Sequence, residues 1–69
     1  MGEELRETKL EKNGVVLEIL EIDDSTCEVT FRGGELDGSW YETEDCGFDD
    51  SVSWFRKSGY KTVEGGKNG

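Results

Sequence analysis

The chain of 69 residues contains no histidine and no proline, and both absences restrict what it can do. Without histidine the usual general base near neutral pH is missing, and a zinc site would need carboxylates beside the two cysteines. Cys46 has no histidine partner that would activate it as a nucleophile. Neither a P-loop nor a GxGxxG motif is present. We therefore predict that the protein is not an enzyme and that it binds no metal and no other cofactor.

The sequence also lacks a long apolar run. No window approaches the roughly 18 apolar residues that a membrane span requires, and the first residues contain no apolar core of a signal peptide. These absences predict a cytoplasmic protein, in which the two cysteines, which do not form a CxxC pair, are expected to be reduced thiols. Cys27 is then predicted to be a small core residue, and Cys46 a loop thiol.

Basic residues are scarce in the centre of the chain. Residues 13–55 contain twelve acidic residues and one basic residue, Arg32, while the formal net charge of the whole chain is −9. Such a field repels nucleic acids and anionic membranes, and it attracts basic proteins at rates that fall with salt. We therefore predict a basic protein surface as the partner, possible homo-oligomers, and no direct binding to nucleic acid or membrane.

The densest β-branched and apolar content lies between Val15 and Phe31. Apolar and polar residues alternate over 27–32, which predicts a half-buried strand, and a turn over 23–26 joins it to the strand before. That earlier segment, residues 15–22, is apolar on both alternating faces, which predicts burial on two sides. Asn13-Gly14 is typical of a type I′ hairpin turn and predicts a strand over 8–12. A helix over 3–12 is the alternative, although its apolar residues are poorly spaced.

Glycine-containing turns divide the remainder into short segments. We predict strands over 39–43, 52–57 and 60–64, which gives five or six strands in total. The predicted fold class is all-β and mainly antiparallel, either a small meander or a barrel that looks like SH3-like or OB-like barrels, since closure removes exposed edges. Residues 1–7 are predicted to be frayed, 8–64 to form a single small β domain, and 65–69 to be a disordered glycine-rich tail.

Two aromatic doublets, Trp40-Tyr41 and Trp54-Phe55, are the first functional feature. Adjacent side chains of a strand point to opposite faces, so one ring of each doublet is predicted to be exposed. Tryptophan and tyrosine are enriched in the hot spots of protein interfaces. The alternative is that the terminal strands, or a second copy of the chain, cover the outer rings.

The segment between the doublets, residues 42–50, is strongly acidic and is the second feature. Carboxylates beside aromatic rings suit lysine and arginine side chains of a partner, whereas the plainer alternative is charge that only maintains solubility. The segment lacks the spacing of an EF-hand loop, so a calcium site there would be irregular and weak. The predicted partner-binding residues are Trp40, Tyr41, Glu42, Glu44, Asp45, Asp49, Asp50 and Trp54.

These patterns predict a small acidic intracellular binding module that docks on a basic protein surface. In a narrower form it is an inhibitor or a nucleic-acid mimic that occupies the binding groove of a nucleic-acid-binding protein. The alternative hypothesis is a structural or assembly subunit that self-associates through exposed aromatic rings and strand edges.

Overall fold

The computed structural model describes residues 5–63, which form one antiparallel sheet and one helix. The sheet order is β4-β3-β2-β1-β5, and every neighbouring pair is antiparallel. The prediction of a mainly antiparallel β meander is confirmed. The elements are β1 Glu7–Lys12, β2 Val15–Asp23, β3 Thr26–Arg32, β4 Trp40–Glu42, α1 Phe48–Lys57 and β5 Lys61–Thr62.

The first two hairpins form where the sequence predicts them. Asn13 and Gly14 have positive φ angles of 54° and 84°, as a type I′ turn requires, and Lys12 pairs directly with Val15. The helix considered over 3–12 is therefore wrong for the residues of β1. Between β2 and β3, the Asp23 carboxylate accepts a hydrogen bond from the backbone N–H of Ser25 at 2.9 Å and stabilises the turn.

The predicted barrel closure is wrong. Strands β4 and β5 lie at opposite edges of the sheet, and helix α1 carries the chain from one edge to the other. The strand predicted over 52–57 is also wrong, because that segment belongs to α1. Strand β5 is confined to two residues of the predicted 60–64 segment, and Glu64 lies outside the described residues.

Helix α1 forms because its charges and apolar spacing both suit a helix. Asp49 and Asp50 lie in its first turn and Arg56 and Lys57 in its last, which matches the helix dipole at both ends. Apolar residues at positions 48, 52 and 55 share one face at helical spacing.

A Schellman motif ends α1. The N–H of Gly59, at a φ of 108°, donates to the Arg56 carbonyl oxygen at 3.1 Å. The N–H of Tyr60 donates to the Phe55 carbonyl oxygen at 3.1 Å. The Ser58-Gly59 pair therefore marks a helix end, where the sequence predicted only a turn between strands.

The core lies between α1 and one face of the sheet. Its buried apolar residues are Leu10, Leu17, Ile19, Cys27, Val29 and Phe55. The prediction that Cys27 is a core residue is confirmed, and Cys46 is a partly exposed thiol in the connection between β4 and α1.

The other face of the sheet carries no second layer within residues 5–63. The prediction that β2 is buried on two sides is therefore wrong, because α1 covers only one of them. Val16 and Leu20 are half-buried on the uncovered side, and Ile22 is 38% exposed. These apolar side chains remain accessible to a partner.

Strand β1 begins at Glu7, inside the segment predicted to be frayed. Arg6 also contacts the sheet, because its carbonyl oxygen accepts a hydrogen bond from the Glu21 N–H at 2.8 Å. Residues 1–4 and the predicted tail over 65–69 lie outside the described residues. Among the described residues no helix is long and apolar enough to cross a membrane.

Candidate partner-binding surface

The predicted partner-binding residues occupy separate places in the fold. Glu42 and the two helical aspartates lie on opposite sides of the sheet, so residues 42–50 do not form one continuous patch. Trp40 and Glu42 lie on the face away from α1, and Tyr41 and Trp54 lie on the helix side. Glu44 and Asp45 belong to the β4–α1 connection, and Asp49 and Asp50 belong to the first turn of α1.

The register of β4 against β3 separates the first aromatic doublet. Tyr41 pairs with Val29, a core residue, and therefore points to the helix side. Trp40 pairs with Thr30 and points to the opposite side, where 59% of its surface is exposed. The predicted division of this doublet between two faces is confirmed, although Tyr41 also remains 42% exposed.

We call the side of the sheet opposite α1 the open face. Two rows of paired residues cross it from β1 to β4. Apolar residues of β2 and the exposed Trp40 ring lie among carboxylates there. The rows are Glu7, Leu20, Glu28 and Glu42, and Lys9, Glu18, Thr30 and Trp40.

Glu28 and Glu42 are directly opposite each other in the β3–β4 ladder. Like charges at directly opposed positions destabilise a sheet. Neither carboxylate forms an ion pair within residues 5–63, whereas the nearby Glu18 carboxylate lies 3.5 Å from the Arg32 guanidinium. A positively charged group placed between Glu28 and Glu42 would relieve their repulsion.

A small groove lies on the helix side, between β4 and α1. Its volume is about 180 Å³, and Tyr41 and Trp54 lie along it. The Tyr41 ring stacks on Phe31 with centroids 6.1 Å apart, and burial raises the pKa of its hydroxyl. Trp54 is 62% exposed, while its neighbour Phe55 is buried. The groove therefore presents apolar ring surface beside the edge of the sheet.

Hydrogen bonds around Cys46 fix the connection between β4 and α1. The Cys46 carbonyl oxygen accepts from Thr43 Oγ1 at 2.8 Å and from Ser51 Oγ at 3.4 Å. The Cys46 N–H donates to the Ser25 carbonyl oxygen at 3.0 Å, so the connection is tied to the β2–β3 turn. Burial raises the pKa of the Cys27 thiol, which disfavours the reactive thiolate. These groups hold the groove in place.

Asp49 has a partner within the chain. The Arg6 guanidinium lies 3.0 Å from the Glu21 carboxylate and 3.2 Å from that of Asp49, and it stacks 4.7 Å from the centre of the Phe48 ring. The hydrogen bond from Arg6 lowers the pKa of Glu21. Asp49 is therefore partly neutralised and is a weaker candidate for partner binding than Glu42.

The opposite edge of the molecule carries charged side chains of both signs. A groove of about 560 Å³ lies between α1 and the β1–β5 edge, and Arg56, Lys57 and Asp49 line it. Lys61 lies in β5 itself. The two edges of the sheet therefore differ in charge. No group of three or more histidine, cysteine, aspartate or glutamate residues within 5–63 is arranged to hold a metal ion.

Sequence reasoning missed Glu28 and Thr30, which lie beside Trp40 and Glu42 on the open face. The alternation of β3 predicts that both side chains face away from the core. What the sequence did not reveal is that β4 pairs with β3 and brings these residues together. Comparison of the chain with protein-family models, with curated proteins and with solved structures finds no match.

Proposed function

We propose that this protein is a small acidic binding module of the cytoplasm that docks on a basic protein surface through the β4 end of its open face. The contact residues are Trp40, Glu42, Glu28 and Thr30, with Leu20 beside them. The module works by binding alone and requires no cofactor.

The observation that carries the proposal is the position of Trp40. Trp40 is exposed at the β4 end of its row, and the carboxylates of Glu28 and Glu42 lie in the adjacent row, so the ring offers wide contact area to a partner at a small cost in rotamer entropy. The repulsion between Glu28 and Glu42 favours a partner that contributes lysine or arginine to this place. The acidic field of the chain increases the association rate with such partners.

The charge part of the proposal is tested by quantitative capture of proteins from a lysate on the immobilised chain. A Glu28→Gln and Glu42→Gln variant is expected to lose basic partners, which the wild type also releases at high salt. The matched control is Glu35→Gln with Asp24→Asn, which removes the same charge from exposed turn residues outside the open face. Equal capture by both variants contradicts the proposal, because net charge alone would then explain binding.

The aromatic part has an equally close control, since the two tryptophans are similarly exposed on different surfaces. Trp40→Ala is expected to lower the affinity for the captured partner roughly tenfold or more, which is the range of interface hot spots. Trp54→Ala is expected to have less effect. A larger loss from Trp54→Ala would place the site on the helix side and contradict the proposal.

In its narrower form the proposal makes the module an inhibitor that imitates a nucleic acid. The carboxylates of the open face then occupy positions that a partner otherwise uses for phosphates. Added duplex DNA or RNA is expected to displace the module from such a partner. Partners that still bind in excess nucleic acid would contradict the mimic while leaving the binding module in place.

A second candidate function, an assembly subunit, is favoured by the different charges of the two sheet edges. The acidic β4 edge of one copy attracts the lysine and arginine side chains at the β5 edge of another, and such head-to-tail pairing gives open chains. Sedimentation at several concentrations distinguishes the two functions. A monomer throughout supports the docking module, and concentration-dependent growth supports the assembly subunit.

A further inference from the structure

We propose that the basic partner segment binds as an additional strand on the outer edge of β4. This inference rests on the proposed function and specifies its binding mode. The segment is extended, and its basic and apolar residues alternate. It forms backbone hydrogen bonds with β4 while its side chains reach both sides of the sheet.

The hydrogen-bond pattern leaves the outer edge of β4 available. The Phe31 N–H donates to the Ser39 carbonyl oxygen at 2.8 Å, and the Thr43 N–H donates to the Cys27 carbonyl oxygen at 2.9 Å. Backbone groups in an antiparallel ladder alternate in direction, so those of Trp40 and Glu42 point away from β3. Within residues 5–63 they take part in no other backbone hydrogen bond.

The surfaces on either side of this edge determine which side chains the segment should carry. One side is the open face, where Trp40 and Glu42 suit lysine or arginine. The other side is the groove of about 180 Å³ beside Tyr41 and Trp54, which suits apolar side chains. Successive residues of a strand point to opposite sides, so an alternating basic and apolar segment satisfies both surfaces.

Charge complementarity favours β4 over the other free edge. Strand β5 contains Lys61, which is paired with Glu11, and the groove beside it is lined by Arg56, Lys57 and Asp49. A basic segment meets charges of both signs there, whereas it is attracted to β4, where Glu42 and the adjoining Glu44 are exposed. Both edges are short, which limits pairing without side-chain contacts. The surfaces on either side of β4 therefore favour both this edge and a segment of alternating basic and apolar residues.

The test uses a synthetic peptide that alternates lysine and valine. If it pairs antiparallel to β4 with its lysines on the open face, the lysine N–H groups point at Trp40 and Glu42 and the valine N–H groups point to solvent. N-methylation of the lysine amides is then expected to reduce affinity at least tenfold, and N-methylation of the valine amides to change it little. A loss confined to the valine set supports a parallel strand. Equal effects of both sets overturn the inference.

A pair of protein variants tests the same edge. Glu42→Gln removes the carboxylate and keeps the N–H, whereas Glu42→Pro removes the N–H as well, and proline is tolerated at an edge position whose N–H faces solvent. Affinity of the proline variant for the peptide is expected to be roughly three- to tenfold below that of the glutamine variant. Equal affinity overturns the inference, provided that circular dichroism shows both variants folded.

Amide hydrogen exchange gives a direct readout in the wild type. Addition of the peptide is expected to slow exchange of the Trp40 and Glu42 amide protons. Unchanged exchange of these two amides in a saturated complex overturns the inference. A variant that fails to fold does not affect this measurement, because it uses the unmodified chain.

The outcomes separate the inference from the proposed function. If neither peptide nor basic protein binds, the proposed function fails. If the peptide binds in a salt-dependent way and N-methylation has no effect, the module docks by its surface alone and only the strand is wrong. If the free chain self-associates and Glu42→Pro abolishes that association, the occupant of the β4 edge is a second copy, which also overturns the inference.

Discussion

Arg6 is the residue that links the start of the sheet to the start of the helix. Its guanidinium contacts the carboxylates of Glu21 and Asp49 as well as the Phe48 ring, and its backbone pairs with β2. Exposed ion pairs individually contribute little to stability. The hydrogen bonds nevertheless lower the pKa of Glu21, so the contact has a measurable dependence on pH.

The pH dependence has a defined sign. The pKa of Glu21 is lower in the folded chain than its ordinary value of 4.5, so the unfolded chain binds more protons in that range. The contribution of Glu21 to the free energy of unfolding is therefore complete above about pH 4.5 and is lost as the pH falls through the lowered folded value. Urea unfolding should show that Glu21→Gln has a lower free energy of unfolding than the wild type at pH 7, and that this difference is smaller at pH 3.

The chain contains many other carboxylates, so a control variant is needed. Glu35→Gln removes an exposed loop carboxylate that takes part in no hydrogen bond or ion pair within residues 5–63. At pH 7 the free energy of unfolding of Glu35→Gln should differ less from that of the wild type than the free energy of unfolding of Glu21→Gln does. Equal pH dependence of the two variants would contradict a specific role of the Arg6 contact.

Val29 is the residue at which the centre of the sheet meets β4. It is fully buried and lies opposite Ile19 on one side and Tyr41 on the other. Val29→Ala should lower the free energy of unfolding by about 1 to 3 kcal/mol through lost burial and a cavity. Thr30→Ala changes the next residue, which lies on the open face, and should lower the free energy of unfolding by less. Urea unfolding of the two variants measures both losses. A larger loss at Thr30 would mean that the core is on the other face.

At the scale of elements, the β4–α1 connection and the β2–β3 turn are packed against each other at Gly47. A Cβ placed on Gly47 would collide with the backbone carbonyl oxygen of Asp24. The φ of Gly47 is −73°, which other residues adopt readily, so glycine is needed there for space and not for conformation.

Gly47→Ala should therefore force these two connections apart. We expect a loss of about 1 to 3 kcal/mol in the free energy of unfolding, as in overpacked sites, and faster alkylation of Cys46, which the same connection carries. Thermal or urea unfolding and timed reaction with iodoacetamide measure the two effects. Ser53→Ala, on the exposed side of α1, is the control and should change neither.

In the segment of helix α1 the local sequence pattern predicts a strand, whereas the structure contains a helix. The flanking glycine turns predict a strand at Trp54-Phe55, and the alternation of a strand predicts one exposed and one buried ring. The rings do divide in this way, but because neighbouring helical residues point about 100° apart. The acidic first turn and the basic last turn are sequence signals that favour a helix over a strand in this segment.

At the scale of the whole molecule, charge and core size oppose each other. The net charge is −9, and only six apolar residues are buried within 5–63. Repulsion among the acids therefore acts against the marginal stability of so small a domain. Screening that repulsion should therefore stabilise the fold even though it weakens binding to a basic partner.

We expect the thermal midpoint to rise between about 0.01 M and 0.5 M sodium chloride, where the Debye length falls several-fold. A variant with Glu35→Lys and Glu44→Lys, both exposed positions, has a less negative net charge and should show a smaller rise. Thermal unfolding followed by circular dichroism measures both. A midpoint that falls with salt would show that ion pairs such as that of Arg6 outweigh the repulsion.

By itself the sequence determined the β1–β2–β3 meander, the side of β3 that is buried, and the acidic character of the surface. These follow from local physics, since alternation, the Asn13-Gly14 turn and charge act over a few residues. Only the tertiary structure decided that 48–57 is a helix, that the sheet stays open, and that Glu28 and Glu42 become neighbours. Those outcomes depend on packing between distant segments, because α1 covers one face of the sheet and separates β4 from β5.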